Sequence, residues 1–587
     1  MSGERTIGKL WRDALAANHP DPAYLHRVDD GWQPVGWAEA GERVELLANG
    51  LLAWGIRKGD VFGILGRTTL EWALFDFALA LVGGVTAPVY ATSSAKDTAY
   101  VLGHSGAIGV VVEDDAQRAK VDAERAALPA LRHVLGFADL AALAEEGRAF
   151  RAAHPGALAA AEAAVGDDDL FTFIYTSGTT GPPKGCMLLH RNYFEMVAVV
   201  QHLEQFLQKG DTCLLYLPLA HNFGRLVHLA GPYAGFTIAF EPDPYAVATS
   251  LAEVRPTVLP SVPRIFEKIH TAVVSAFAEA TGPKARLIEW ALGVGREVGA
   301  LRRDGRPVPR GLAARHRIAD RLVYAKVKER LGGRLRLPIS GGAPLSKEVA
   351  ELFDALDIRI MEAYGLTECT SGATVNTPIA YRYGTVGRAL PGFELRLDDD
   401  GELLMRSETV FAGYHREPEA TAAVLDEQGW LRTGDIASID ADGFVTITDR
   451  KKDILVTAGG KNIAPQNIEN DLKTSRWISQ ALVVGDRRPY ATALVTLDPA
   501  EIARWAEENG VDPDPAVLAH DPRVLALVQA AVDDANRDRT PFEQVKRFTI
   551  LPRDFTIDEG EVTPTLKLRR RVCIEHFADE VEQLYAD

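Results

Sequence analysis

Between residues 60 and 92 the hydrophobic pattern changes period twice. VFGILG is a short continuous apolar run, TTLEWALFDFALALVGG carries apolar positions at helical spacing, and VTAPVY is again short and β-branched. This predicts strand, amphipathic helix and strand, one βαβ unit. Residues 101–113 continue with a helix end and the strand IGVVVE, and the Ala-rich stretch 115–168 reads as helical. LFTFIYT (170–176) predicts a buried strand, and beyond a glycine-rich loop GCMLLH predicts a short one. Asn192 and Glu195 have the spacing of a helix cap and its reach-back partner, with Tyr193, Val197, Val200 and Leu203 recurring on one face.

A second unit begins at RLRLPIS (334–340), followed by GGAPLS, the helix KEVAELFDAL and the strand IRIMEAY. If its two strands are parallel, Gly341–Gly342 and Tyr364–Gly365 open onto one edge of the sheet, where open α/β sheets bind ligands. Residues 402–448 read as short strands with turns at DEQG and DADG. Beyond about 450, ISQALVVGD and YATALVTLD predict a strand pair. The helix EIARWAEEN follows, then one with Val524, Val528, Ala531 and Ala535 on a face, then a last helix through RRVCIEHFADEVEQLY. The expected organisation is α/β: a large domain over 1–450, with a helical insert at about 270–333, and a small α+β domain over 451–587.

Composition narrows the partners. The 587 residues carry a net charge of −17, which disfavours general nucleic-acid binding. Cys186, Cys213, Cys369 and Cys573 form no CxxC pair, so neither a zinc site nor a disulfide framework is expected, and a reducing, cytoplasmic compartment is. The N-terminal segment has no long apolar run to predict a signal peptide, and the apolar stretch around 74–91, interrupted by Asp76, falls short of a membrane span. Against the acidic background, residues 284–330 hold thirteen Lys/Arg and five Asp/Glu. Two readings stand: a solvated helical face, or a surface that meets an anionic membrane or substrate tail.

The chemistry concentrates in YTSGTTGPPKG (175–185). It departs from the GxxxxGK[ST] loop, since proline precedes Lys184 and glycine follows it. Its glycines still let N–H groups converge on an anion, Thr176, Ser177, Thr179 and Thr180 add hydroxyls, and Lys184 adds charge. Composition alone allows an inert turn as well.

The order of residues in that loop resembles the phosphate loop of the AMP-forming adenylating enzymes, the superfamily of acyl-CoA synthetases, luciferases and peptide-synthetase adenylation domains. SGGAPL (340–345), EAYGLTE (362–368), RTGD (432–435), DRKKDILVTAGGKNIAPQNIE (449–469) and TPTLKLRR (563–570) resemble that superfamily's further motifs, in its order. LPLAHNFGR (217–225), VPRIFEKI (262–269) and the helical insert resemble the long-chain fatty acid–CoA ligases in particular.

The resemblance implies a two-step reaction. A carboxylate attacks the α-phosphorus of ATP to give an acyl-adenylate and pyrophosphate, and coenzyme A then displaces AMP. It implies ATP and β/γ-phosphate binding by Thr176, Ser177, Gly178, Thr179, Thr180, Gly181 and Lys184, and an α-phosphate contact from Thr367. Mg²⁺ would be held by Glu368 with Thr176. Adenine would lie between Tyr364 and the Gly341, Gly342, Ala343 backbone, beside Gly365, although Tyr364 also reads as a core aromatic. Asp435 would take the ribose hydroxyls and Arg450 would lie beside it. Lys567, on a mobile small domain, would bridge carboxylate and phosphate. Lys452 would be the hinge, and Gly459 and Gly460 would line the coenzyme A tunnel or form a plain turn. His221 and Phe223 would line or gate an acyl tunnel, or simply pack.

The implied partners are therefore fatty acid, ATP and coenzyme A, with at most peripheral membrane contact and with the homo-oligomeric state left open. The rival expectations are an enzyme loading a carrier protein or activating a non-fatty acid, a catalytically dead binding homologue, and a kinase-type ATPase.

Overall fold

The computed structural model describes residues 5–17, 19–29, 31–176, 182–202, 207–557, 559–563 and 568–586. Two sheets form its larger part. One has six strands, in the order His133–Gly136, Gly109–Val112, Val61–Gly66, Val85–Tyr90, Leu170–Thr176 and Lys184–Leu189. Its strands run parallel except for the closing hairpin, where Thr176 pairs with Lys184. The expected βαβ unit is there, with Val61–Gly66 and Val85–Tyr90 parallel. Its helix, Leu70–Leu81, is not amphipathic: every residue but Glu71 is buried, because helices Ile7–Ala16 and Trp37–Ala53 cover the side away from the sheet. The Ala-rich stretch also holds a strand, His133–Gly136, whose four residues extend the sheet by parallel pairing rather than by any period of their own.

The second sheet has nine strands, with Met361–Tyr364, Leu337–Ser340, Val258–Ser261, Thr212–Leu215 and Thr237–Phe240 at its centre. Ser340 is in register with Glu362 in a parallel pair, so both strands end at one edge of the sheet, as the pattern predicted. Residues 394–450 add a four-stranded antiparallel sheet. Beyond it lies a three-stranded sheet, Ile478–Val484, Ala491–Leu497 and Val545–Leu551, covered by helices. The two hydrophobic clusters of the large part draw on residues from Ile7 to Val445, and the two of the remainder only on residues from Leu455 onward.

Two boundaries differ from expectation for local reasons. The helix expected to begin at Asn192 begins at His190. The Asn192 amide takes the reach-back place instead of the cap: its oxygen accepts from the Leu189 N–H just ahead of the helix, while its nitrogen donates to the carbonyls of Glu408 and Val410. Glu195 pairs instead with Arg5. The last helix breaks into Arg570–His576 and Ala578–Tyr585, because Phe577 turns inward against Phe555. The insert is helical, as Pro263–Ala278, Gly282–Arg303 and the run from Arg310 to Arg330.

Candidate active site

The edge where Leu337–Ser340 and Met361–Tyr364 end opens into a cavity of about 1330 Å³. Its geometry follows from glycines. Gly342 sits at φ +83°, and a Cβ on Gly341 would lie 3.3 Å from the Phe223 ring. A Cβ on Gly365 would fall 1.7 Å from the Ser371 carbonyl oxygen, so no side chain is tolerated where the chain folds back through Thr370 and Ser371, both at positive φ. That fold-back presents Thr367 and Glu368 to the cavity.

At one end stand Thr176, Lys184, Glu368 and Tyr414. The Tyr414 hydroxyl donates to Glu368 Oε1 at 2.7 Å, and Phe411 N–H holds the Glu368 carbonyl at 2.9 Å. Lys184 Nζ lies 5.0 Å from the Tyr414 ring centroid and 3.7 Å from Glu417. Cation, aromatic and carboxylate thus alternate around one corner. Glu368 and Thr176 contribute carboxylate and hydroxyl oxygens to the same space, a donor set that suits a hard divalent cation.

At the opposite end the Tyr364 hydroxyl donates to Asp435 Oδ2 at 2.5 Å, and Arg450 Nε lies 3.6 Å from Oδ1. Antiparallel pairing of Leu431–Ile439 with Val445–Arg450 puts Asp435 directly opposite Arg450. The backbone of Lys451 returns to the Gly434 carbonyl at 2.8 Å, and Lys452 lies at the cavity rim.

Several expected residues fall elsewhere. Ala343 is exposed and does not line the cavity. Gly459 and Gly460 form the exposed turn between Leu455–Val456 and Asn462–Ile463, with Gly460 at φ +73°, away from the cavity. Ser177, Gly178, Thr179, Thr180, Gly181 and Lys567 lie outside the described residues. Their flanks converge, however: Pro183 and Lys184 line the cavity, and so do Thr563 and Arg569.

A third, apolar branch follows helix Asn222–Ala234. Phe223, Leu226, Val227 and Ala230 form one helical stripe along the cavity, facing Met196, Phe236, Val258 and Ile339. His221 lines the cavity too, and it caps this helix, its Nδ1 accepting from the Phe223 N–H at 3.3 Å. The opposite face of the helix carries charge. Arg225, His228 and Asp76 are all 0% exposed, and Arg225 pairs with Asp76. Arg225 also donates to Thr172 Oγ1 at 2.8 Å, on the strand that enters the glycine loop. One guanidinium therefore ties the apolar branch to the loop.

Over residues 12–415 the chain matches the family of AMP-binding enzymes, and over 452–587 that of AMP-binding enzyme C-terminal domains. The chain belongs to the AMP-binding enzymes. It is 40% identical over 574 residues to long-chain-fatty-acid–CoA ligase FadD15 of Mycobacterium tuberculosis, covering 96% of this chain and 95% of that one. It is 30% identical over 623 residues to long-chain-fatty-acid–CoA ligase ACSBG2 of Xenopus laevis, covering 99% and 84%. In fold it is similar to the crystal structure of the anthranilate CoA ligase AuaEII in complex with anthranoyl-AMP. The TM-score there is 0.75, over 100% of this chain and 99% of that one, at 18% identity.

In this AMP-binding enzyme the sequence reading missed Tyr414 and Asn222. Tyr414 stands in FAGYHRE, a stretch with no residue-type signature of its own. Asn222, inside HNFGR, accepts from the Tyr193 hydroxyl and donates to the Thr367 carbonyl at 3.3 Å, so it braces the turn that presents Glu368. A further buried acid lies behind Tyr364. Burial pushes the Glu362 carboxyl up to about 8, against the opposing pull of the Leu345 N–H. Glu362 therefore holds its proton in the folded state above about pH 4.3, where the unfolded chain releases it. Its stabilising contribution is complete below that pH and is lost as pH rises through about 8. Glu362→Gln is expected to gain thermal stability relative to the parent as pH is raised from 6 to 8, with the gap levelling off above that. Thermal melts across this range check it.

Proposed function

We propose that this chain is an AMP-forming ligase that activates a long-chain fatty acid with ATP and then transfers the acyl group to coenzyme A. The single observation that carries the reading is the three-branched cavity. A hydroxyl-, lysine- and carboxylate-lined corner, a Tyr364–Asp435 pair and an apolar branch along Asn222–Ala234 line one cavity together with Gly341 and Thr367. Curated relatives named as long-chain-fatty-acid–CoA ligases support the substrate class.

The obstacle in the first step is that two anions must approach. At an intermediate dielectric of about 20, unit charges 4 Å apart repel by about 4 kcal/mol. The loop 176–184 wraps the β- and γ-phosphates, with Lys184 supplying charge. Thr367 hydrogen-bonds the α-phosphate. Glu368, steadied by Tyr414, and Thr176 would hold Mg²⁺, which would supply charge neutralisation when bound. Adenine enters beside Tyr364, where the Gly341–Gly342 backbone leaves room, and Asp435 accepts the ribose hydroxyls beside Arg450. Lys567 bridges the carboxylate and the α-phosphate, offsetting their repulsion and the charge that builds on the oxygens as the new bond forms. For the second step the small domain turns about Lys452, which withdraws Lys567 and brings Gly459 and Gly460 to the coenzyme A path.

The apolar branch selects the acid, since each buried methylene contributes about 0.8 kcal/mol. His221 and Phe223 stand where it meets the nucleotide space. The enzyme is cytoplasmic, with peripheral membrane contact at the insert. Support comes from exposed Arg317, Arg321 and Lys326, which make no ion pair among the described residues, flanking Ile318 and Leu322 at 53% and 42% exposure. No helix among the described residues is long and apolar enough to cross a membrane.

An ATP–pyrophosphate exchange screen over acids of increasing chain length, repeated with thioester detection, tests the reading. Exchange and thioester formation are expected to favour long chains. Ala230→Phe, which fills the branch, is expected to move the preference to shorter acids while exchange with short acids persists. Exchange without thioester would favour a carrier-protein acceptor instead.

A further inference from the structure

A set of polar contacts outside the cavity joins helix Pro263–Ala278 to the part of the chain beyond residue 451. Arg264 forks onto Ser479, with Nη1 donating to its carbonyl at 2.5 Å and Nη2 to its hydroxyl at 2.7 Å. Glu267, buried on the same face, pairs with Lys473 at 3.1 Å. Farther along, the Ser275 hydroxyl donates to Glu501 Oε2 at 2.9 Å, both residues being buried. Glu279, just past the helix end, meets Arg504 at 2.6 Å. Positions 264, 267, 275 and 279 lie on one helical face.

Nothing in the reaction chemistry needs these residues, and none of them lines the cavity. Buried carboxylates and a forked guanidinium are costly to place at an interface unless their partners are met, so they fix one docking geometry rather than a range of them.

What that geometry fixes can be followed atom by atom. The Ser479 hydroxyl that receives Arg264 donates in turn to Asp554 Oδ2 at 2.9 Å. Its neighbour Gln480 accepts from the Phe555 N–H at 2.7 Å. Asp554 and Phe555 open the stretch whose described residues Ile557, Gly560, Val562, Thr563 and Arg569 line the cavity. Arg264 is thus two hydrogen bonds from Asp554, where the segment that lines the cavity begins. It leaves the large sheet just beyond strand Val258–Ser261, which lines the same cavity through Val258 and Pro260.

We propose that Arg264, supported by Glu267 and Ser275, is a positioning residue for adenylate formation alone. It docks the small domain on helix Pro263–Ala278 so that Ile557, Gly560, Thr563 and Arg569 are presented to ATP and the carboxylate. The contact must be released before the acyl group passes to the thiol. This inference rests on the two-step reading above and adds a residue-level latch to it.

The two half-reactions separate the latch from a merely structural role. In the full-length enzyme, Arg264→Ala is expected to lower ATP–pyrophosphate exchange on the order of 10²-fold, since small displacements of reacting groups cost that much. Thioester formation from supplied acyl-adenylate and coenzyme A is expected to be unchanged or faster. Ser479→Ala added to Arg264→Ala should cost little more, because both act through one contact. Arg264→Lys keeps the charge but loses the fork, so it gives the same half-reaction split in a milder form and serves if the alanine variant fails to fold. An equal fall in both half-reactions, or no fall in exchange, overturns the latch. A parent enzyme that supports no exchange with any acid overturns the two-step reading itself.

Discussion

Lys567→Ala is expected to lower adenylate formation on the order of 10²–10³-fold, the range seen when one oxyanion donor is removed. Thioester formation from supplied acyl-adenylate should survive. The asymmetry follows from where charge builds. As the carboxylate attacks the α-phosphorus, negative charge accumulates on oxygens that a single ammonium can reach, whereas in the thiol step that ammonium has no reacting anion to bridge. The sequence around Lys567 prepares such a role. Thr563, Pro564 and Thr565 stand just before it in sequence, and proline disfavours helix at the residue that precedes it, Thr563. The described residues on either side, Thr563 and Arg569, line the cavity. Pre-steady-state measurement of both half-reactions on one variant checks the prediction; equal losses would assign Lys567 a structural part.

Asp76→Ala is expected to be the most damaging substitution away from the reacting groups. Asp76 lies in a helix with almost no solvent contact, and its partner Arg225 is wholly buried. Burial works against the Asp76 charge, but Arg225 and His228 outweigh it and hold the carboxyl below its usual range. The Thr86 hydroxyl adds a hydrogen bond at 2.7 Å. Removing the carboxylate strands the guanidinium among Phe171, Trp72 and Tyr193, and leaving one partner of a buried pair uncompensated costs about 3–5 kcal/mol. Arg225 also ties helix Asn222–Ala234 to Thr172. The lower melting temperature should therefore come with a looser apolar branch and weaker discrimination among acids. Calorimetry and the chain-length screen read the two effects separately.

The parts of the site that were legible in the sequence are those whose chemistry is carried by residue type over a short span. Gly341–Gly342 and Gly365 announce strand ends, Gly342 through its positive φ and Gly365 because it has no room for a side chain, and the hydroxyl-rich loop before Lys184 announces an anion. The parallel pairing that brings these ends together follows from two short apolar runs flanking a helix.

The buried Asp76–Arg225–His228 cluster was not legible, because its members lie some 150 residues apart and each looks ordinary locally. Asp76 interrupts an apolar run, and Arg225 ends a motif that otherwise concerns the cavity. Tyr414 was missed for the same reason: its partner Glu368 stands 46 positions earlier. The strand His133–Gly136 carries no signal of its own, since pairing with Gly109–Val112 creates it. Likewise the break at Phe577 comes from an aromatic contact with Phe555 that helical periodicity cannot register.

The nucleotide left after one round of reaction tests the account most directly. Enzyme, ATP, Mg²⁺, a long-chain fatty acid and coenzyme A are incubated together, and nucleotide and thioester are quantified side by side. The account predicts AMP and pyrophosphate in step with each thioester formed, with no ADP. Accumulation of ADP and phosphate, or thioester formed without AMP, would contradict it.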